Sequence, residues 1–185
     1  MTATVTTLPH YFPEVFAFRV IISVLLLALL IFSACMLYKK KKVDKLQRNC
    51  LIILSSYTVL MLYYTLIGRY SQSYYRYDGD IFGTISALIK DFNMTDFTQL
   101  VINLVMMIPV SFLLMLILRC RYKTVVAFDI TVLLIITIEL SQFFTRAGTL
   151  QLDDILCNVI GAVVGIFVYY LMMIILARKE MKRHE

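Results

Sequence analysis

The chain has 185 residues, 61% of them hydrophobic, with a mean hydropathy of +0.82 and a formal charge of +6. That apolar excess falls in long blocks, which excludes an ordinary soluble domain and leaves one membrane-embedded bundle over 1–185. The basic residues lie in short clusters beside the apolar runs, a placement that argues against a nucleic-acid partner and for membrane topology.

A helix needs about 20 apolar residues to cross the hydrocarbon, and five stretches approach that length. The first covers 20–38. Only Arg19 among the basic residues precedes it, which is not the basic start of a cleavable signal, so it is expected to stay as a helix. It runs into Lys39, Lys40, Lys41, Lys42, Lys45 and Arg48. The second, 51–67, ends in the aromatic stretch LYYTLIGRY, which suits an interfacial anchor and carries Arg69. A shorter piece, IFGTISALI at 81–89, cannot span; it reads as an interfacial or re-entrant helix, or as a loop helix packed on the bundle.

The third stretch, 100–118, contains Asn103 and Pro109, and proline there removes a backbone donor. Arg119, Arg121 and Lys123 separate it from the fourth, 125–144, which carries Glu139 and Gln142. Arg146 lies in the following loop. Asp153 and Asp154 open the fifth, 155–176, which holds Asn158, Gly161 and Gly165 and leads to Arg178, Lys179, Lys182 and Arg183. Under the positive-inside rule the N-terminus is outside and the lysine loop and C-terminus are cytoplasmic. The expected fold is all-α: a polytopic bundle of five transmembrane helices.

At 1.5 Å per residue, Glu139 sits roughly 7 Å below the outer boundary, at a depth similar to Asn103 and Asn158. Glu139 and Gln142 share a helix face, which Arg146 continues. Asp154, Asn158, Gly161 and Gly165 form a second stripe. A carboxyl group in hydrocarbon is costly, so Glu139 is a functional candidate by default. Asn103, Gln142 and Asn158 can equally be interhelical hydrogen-bond glue. Gly161 and Gly165 read first as a helix-packing step, and Asp153 and Asp154 as the cap of the fifth helix. Convergence of the third, fourth and fifth helices would pool these groups in a cavity open to the outside.

The four cysteines, Cys35, Cys50, Cys120 and Cys157, form no C-x-x-C pair, and His10 and His184 lie at opposite ends of the chain. No thiol or imidazole metal site is implied. No cofactor is expected, with a divalent cation held by the oxygens of Asp153 and Asp154 left open.

NLVMMIPVSFLL (103–114) and ELSQFFTRAGTLQLDDILCNVIGAVVG (139–165) resemble the VanZ-like family of small bacterial membrane proteins. Asn103 and Pro109 fit its first block; Glu139, Gln142, Arg146, Asp154, Asn158, Gly161 and Gly165 fit its second. Arg69 is similar to the family's arginine at the end of an earlier span. The resemblance covers about 60–176. Ser111 departs from the usual glycine, Met107 from the common phenylalanine, and Gln151 from the loop's first aspartate.

The resemblance implies a multi-pass protein of the bacterial cell membrane, associated with teicoplanin-type glycopeptide resistance. It does not supply a reaction. The favoured reading is non-enzymatic: a cavity lined by Arg69, Asn103, Glu139, Gln142, Arg146, Asp153, Asp154 and Asn158 binds an amphiphile. The expected partners are membrane lipids, a lipid-linked cell-wall precursor or a lipoglycopeptide, with homo-oligomerisation left open. The alternatives are an intramembrane enzyme using Glu139 as acid or base, and a small transporter or assembly partner.

Overall fold

A computed structural model describes residues 28–67, 77–80, 82–145 and 149–183. Arg69, Arg146 and residues 20–27 of the first expected span lie outside the described residues.

The helices that start at Lys45 and Met94 begin where polar side chains cap them, six residues before the apolar runs do. Helix α1 covers Ala28–Lys39. Helix α2, Lys45–Leu62, starts at a capping box: Asp44 accepts from the Gln47 N–H, and the Gln47 side chain accepts from the Asp44 N–H. A π-helical turn, Tyr63–Ile67, continues it. Helix α4, Met94–Ile117, begins at Asn93, whose side chain accepts from the Thr95 N–H at 2.9 Å. Counting apolar residues places these starts at 51 and 100, because it ignores the hydrophilic first turns that the caps make helical.

Helix α3, Gly83–Lys90, occupies the 81–89 segment and buries none of its residues. Helices α5, Lys123–Phe144, and α6, Leu152–Met181, complete the helical set among the described residues. Two short strands, β1 (Tyr77–Asp78) and β2 (Leu150–Gln151), pair in parallel, Tyr77 opposite Leu150 and Asp78 opposite Gln151. Two residues per strand are too few for an alternating pattern, so this pairing leaves no trace in the sequence.

Among the described residues, α4, α5 and α6 are the three helices long and apolar enough to cross a membrane, with mean hydropathies of 2.6, 2.0 and 2.6 over an apolar stretch of 18 residues in each. Their outward faces carry Leu133, Phe144, Phe167 and Ile174, all exposed, as suits contact with lipid rather than water.

Helices α4 and α6 run parallel and make the closest contact. A Cβ on Gly161 would lie 2.0 Å from the Leu104 carbonyl oxygen, and one on Gly165 would lie 2.3 Å from that of Ile108. Small residues at this spacing let the two backbones touch. Pro109 lies within α4, beside that seam, and the helix continues through it to Ile117. Helix α2 packs antiparallel on α4, where the Tyr57 hydroxyl donates to the Met106 carbonyl at 2.9 Å. Helix α5 packs antiparallel on α6, with Lys123 donating to the Tyr169 hydroxyl at 2.6 Å. Met107, Val110 and Met115 of α4, Ala127, Ile135 and Ile138 of α5, and Ala162 of α6 fill the centre.

This arrangement gives the molecule two unlike ends. The starts of α4 and α6, the end of α5, the π-helical turn and α3 share one end, which is polar. The end of α1, the starts of α2 and α5 and the ends of α4 and α6 share the other, which is basic.

Candidate functional site

The polar end contains a layer of buried hydrophilic side chains. Asn103 comes from α4, Glu139 and Gln142 from α5, and Asp153, Asp154 and Asn158 from α6. All six are buried, Glu139 to 2% exposure and Asn158 to 1%. Helix α6 places its polar stripe against α4 because Gly161 and Gly165, on the same stripe, hold the two helices together.

Within the layer, Gln99 of α4 joins two groups of the neighbouring chain. Its Nε2 donates to Gln151 Oε1 and to Asp154 Oδ2, each at 2.8 Å. Asp153 turns the other way. Its Oδ1 accepts from the Phe82 N–H at 2.5 Å and its Oδ2 from the Thr84 N–H at 2.7 Å. Asp153 therefore caps the start of α3, where Phe82 takes a left-handed conformation with φ 76°. Each oxygen accepts one backbone N–H and keeps a further lone pair, so these bonds fix the orientation of the carboxylate. Among the described residues no group of three or more His, Cys, Asp or Glu is placed to hold a metal ion.

Beside the layer lies a recess of about 370 Å³, between the first turns of α4 and the π-helical turn. Tyr64, Thr95, Thr98, Gln99 and Asn103 supply polar walls; Met94 and Ile102 supply an apolar side. Asn103 is the buried member of this lining, and its Nδ2 makes no hydrogen bond among the described residues. Nor does Asn158 Oδ1 on the facing helix. An orphaned buried polar atom costs about 1–3 kcal/mol. Asn103 reaches the recess with part of its side chain, while Nδ2 itself is covered by protein, so an acceptor oxygen meets that donor only after the amide turns toward the opening.

The profile of the VanZ/LLP1 family matches residues 20–174. The chain belongs to the VanZ/LLP1 family. The VanZ/LLP1 match takes in α1, the lysine loop and α2 as well as all but the last two residues of the 60–176 region that carries the sequence resemblance. No curated protein and no solved structure matches the chain. With three helices among the described residues long and apolar enough to cross a bilayer, this VanZ/LLP1 chain is a membrane protein.

The structure brings Asn103, Glu139, Gln142, Asp154 and Asn158 of this VanZ/LLP1 protein into one buried layer, with Asp153 at its edge. Pro109, Gly161 and Gly165 lie deeper, along the α4–α6 seam. Sequence reasoning passed over Gln99, which lies just outside the counted apolar stretch. The available signal is its position four residues before Asn103, on the same helical face. Tyr64 and Thr65 belong to the aromatic stretch read as an interfacial anchor; the structure places Tyr64 in the recess lining and buries Thr65, which donates to the Met61 carbonyl of α2 at 2.9 Å.

Proposed function

We propose that this VanZ/LLP1 protein is a five-span protein of the bacterial cell membrane, with its N-terminus outside and its C-terminus in the cytoplasm. Its polar end opens beyond the membrane and binds the head of an amphiphile, a lipid-linked cell-wall precursor or a lipoglycopeptide. Through that binding it lowers sensitivity to teicoplanin-type glycopeptides.

The orientation rests on charge. Lysine and arginine crowd the basic end, and acidic and amide side chains crowd the other. The binding role rests above all on the unpaired, buried Asn103 amide at the foot of a recess with one polar wall and one apolar side. An acceptor oxygen of the ligand meets Asn103 once its amide turns toward the opening, while hydrocarbon lies along Ile102 and Met94 toward the lipid. Gln142, Asn158 and Asp154 extend the polar wall, and Glu139 sets its charge. Arg69 and Arg146 supply bidentate donors for a phosphate. The resistance role follows from the family's name and from the fit of a lipid-tailed drug to such a site.

The test compares susceptibility to teicoplanin and vancomycin in a bacterial host with and without the gene. The expected result is protection against teicoplanin, which bears a lipid tail, and little against vancomycin. Equal shifts for both drugs overturn a tail-dependent role. Asn103→Leu keeps the branching at Cγ and removes the donor. It is expected to abolish the difference at unchanged protein level in the membrane.

A further inference from the structure

The basic end holds a recess of about 740 Å³ between the end of α1, the start of α2 and the end of α4. Lys39, Lys41, Lys42 and Arg119 line it, with Asp44 as the one lining carboxylate. Asp44 is already engaged. Its Oδ1 accepts from the Gln47 N–H at 2.7 Å, and its Oδ2 pairs with the Arg119 guanidinium. Among the described residues no carboxylate pairs with the three lysines.

A charge cluster that only sets orientation needs no cavity, yet here the walls are fixed. Helix α1 ends in a Schellman motif: the Lys42 N–H donates to the Leu37 carbonyl at 3.0 Å and the Lys41 N–H to that of Tyr38 at 2.9 Å. Lys41 takes φ 54°, the position where glycine is favoured, so the chain holds a lysine there against its backbone preference. Gln47 donates to the Ile117 carbonyl at 2.7 Å and ties the start of α2 to the end of α4. The Arg48 guanidinium lies 4.5 Å over the Tyr38 ring, another wall of the recess.

We propose that this recess is a second binding site, which takes the phosphate of an anionic phospholipid headgroup. Ammonium donors around one anion form strong charge-assisted hydrogen bonds. Basic pockets at the ends of membrane helices suit such headgroups. A lipid is favoured over a soluble anion by the neighbouring surface: Leu37 of α1 and Leu46 of α2 are exposed next in sequence to lining residues, and Phe32 and Leu29 continue the exposed apolar surface further back along α1, where acyl chains can lie. The site does not depend on the function proposed for the polar end.

The test measures binding of dioctanoyl phosphatidic acid, dioctanoyl phosphatidylcholine and inorganic phosphate to the purified full chain in detergent. Phosphatidic acid is expected to bind well above the other two. Lys41→Gln with Lys42→Gln is expected to weaken it about thirtyfold. Lys179→Gln with Lys182→Gln removes the same charge from the exposed end of α6 and is expected to change it by less than about twofold. Lys41→Gly separates binding from folding, since it relieves the positive φ: the melting temperature rises while affinity falls. Equal losses in the two double variants overturn the site, as does equal binding of phosphatidylcholine or no binding of phosphatidic acid. Inorganic phosphate binding as tightly as the lipid overturns the lipid assignment.

Discussion

Two glycines set the distance between the helices that carry most of the polar layer. At Gly161 the obstruction to a side chain is the Leu104 carbonyl, which is backbone and cannot swing aside. At Gly165 a Cβ would meet Ser111 Oγ at 2.0 Å as well as the Ile108 carbonyl. Ser111 hydrogen-bonds back to the carbonyls of Met107 and Ile108, so its hydroxyl is held against the seam. Gly161→Ala is therefore expected to force α4 and α6 apart and destabilise the protein by about 1–3 kcal/mol. Thermal melting in detergent reads this directly. Val163→Ala, on an exposed face of the same helix, is expected to melt near the wild type. The positions in the buried layer are legible in the sequence because hydrocarbon makes each of Asn103, Glu139, Gln142 and Asn158 conspicuous. Gln99 is less so. It stands among Thr95, Asp96 and Thr98, where polarity is ordinary, and only the turn-by-turn spacing to Asn103 marks it.

Helix α3 illustrates how an element can depend on a single distant carboxylate. It buries no residue, and Ile89, Phe92 and the cap residue Phe82 are exposed, so side-chain packing gives it little hold. What fixes its first turn is Asp153, buried at the start of α6, which receives two backbone N–H groups of the α3 start. The parallel β1–β2 pairing brings the preceding segment to the same place. Hydrogen bonds to a charged acceptor contribute about 1.5–3 kcal/mol. Asp153→Ala is thus expected to speed amide hydrogen exchange in residues 82–90 at least tenfold, with α4 and α6 unchanged at their centres. Asp153→Asn keeps an acceptor and is expected to fall between. A spread of faster exchange through α6 would mean instead that Asp153 holds the bundle together. The acid itself is visible in the sequence, but its partners lie about seventy positions away, and no local pattern links them. Sequence alone makes Asp153 a cap of its own helix; the structure makes it the cap of another.

At the scale of the whole molecule, orientation is decided by segregated charge rather than by any single residue. The third, fourth and fifth spans read from apolar runs coincide with α4, α5 and α6 near their centres, where hydrocarbon dictates composition. Apolar runs are poor guides to helix ends, where caps such as Asp44 and Asn93 extend the helices into polar sequence. The basic end carries the lysines that follow α1 and the cations around α5 and α6, while the polar end carries Asp78, Asp80 and Asp91 on either side of α3 and the acids that open α6. Moving the basic end across a bilayer would expose many cations to hydrocarbon in transit, which is why such clusters stay on the cytoplasmic side. The native cysteines allow a direct check, because Cys120 is exposed at the basic end while Cys50 and Cys157 are buried. In a Cys35→Ser background, a membrane-impermeant maleimide is expected to leave Cys120 unlabelled in intact cells and to label it after lysis. Met94→Cys adds a thiol at the exposed mouth of the polar recess, with Cys120→Ser removing the other exposed site. That variant is expected to be labelled in intact cells. The reverse pattern would put the Asn103 recess in the cytoplasm, where an antibiotic acting outside the cell does not reach it. The resistance role would then fail even though every hydrogen bond in the polar layer stayed as it is.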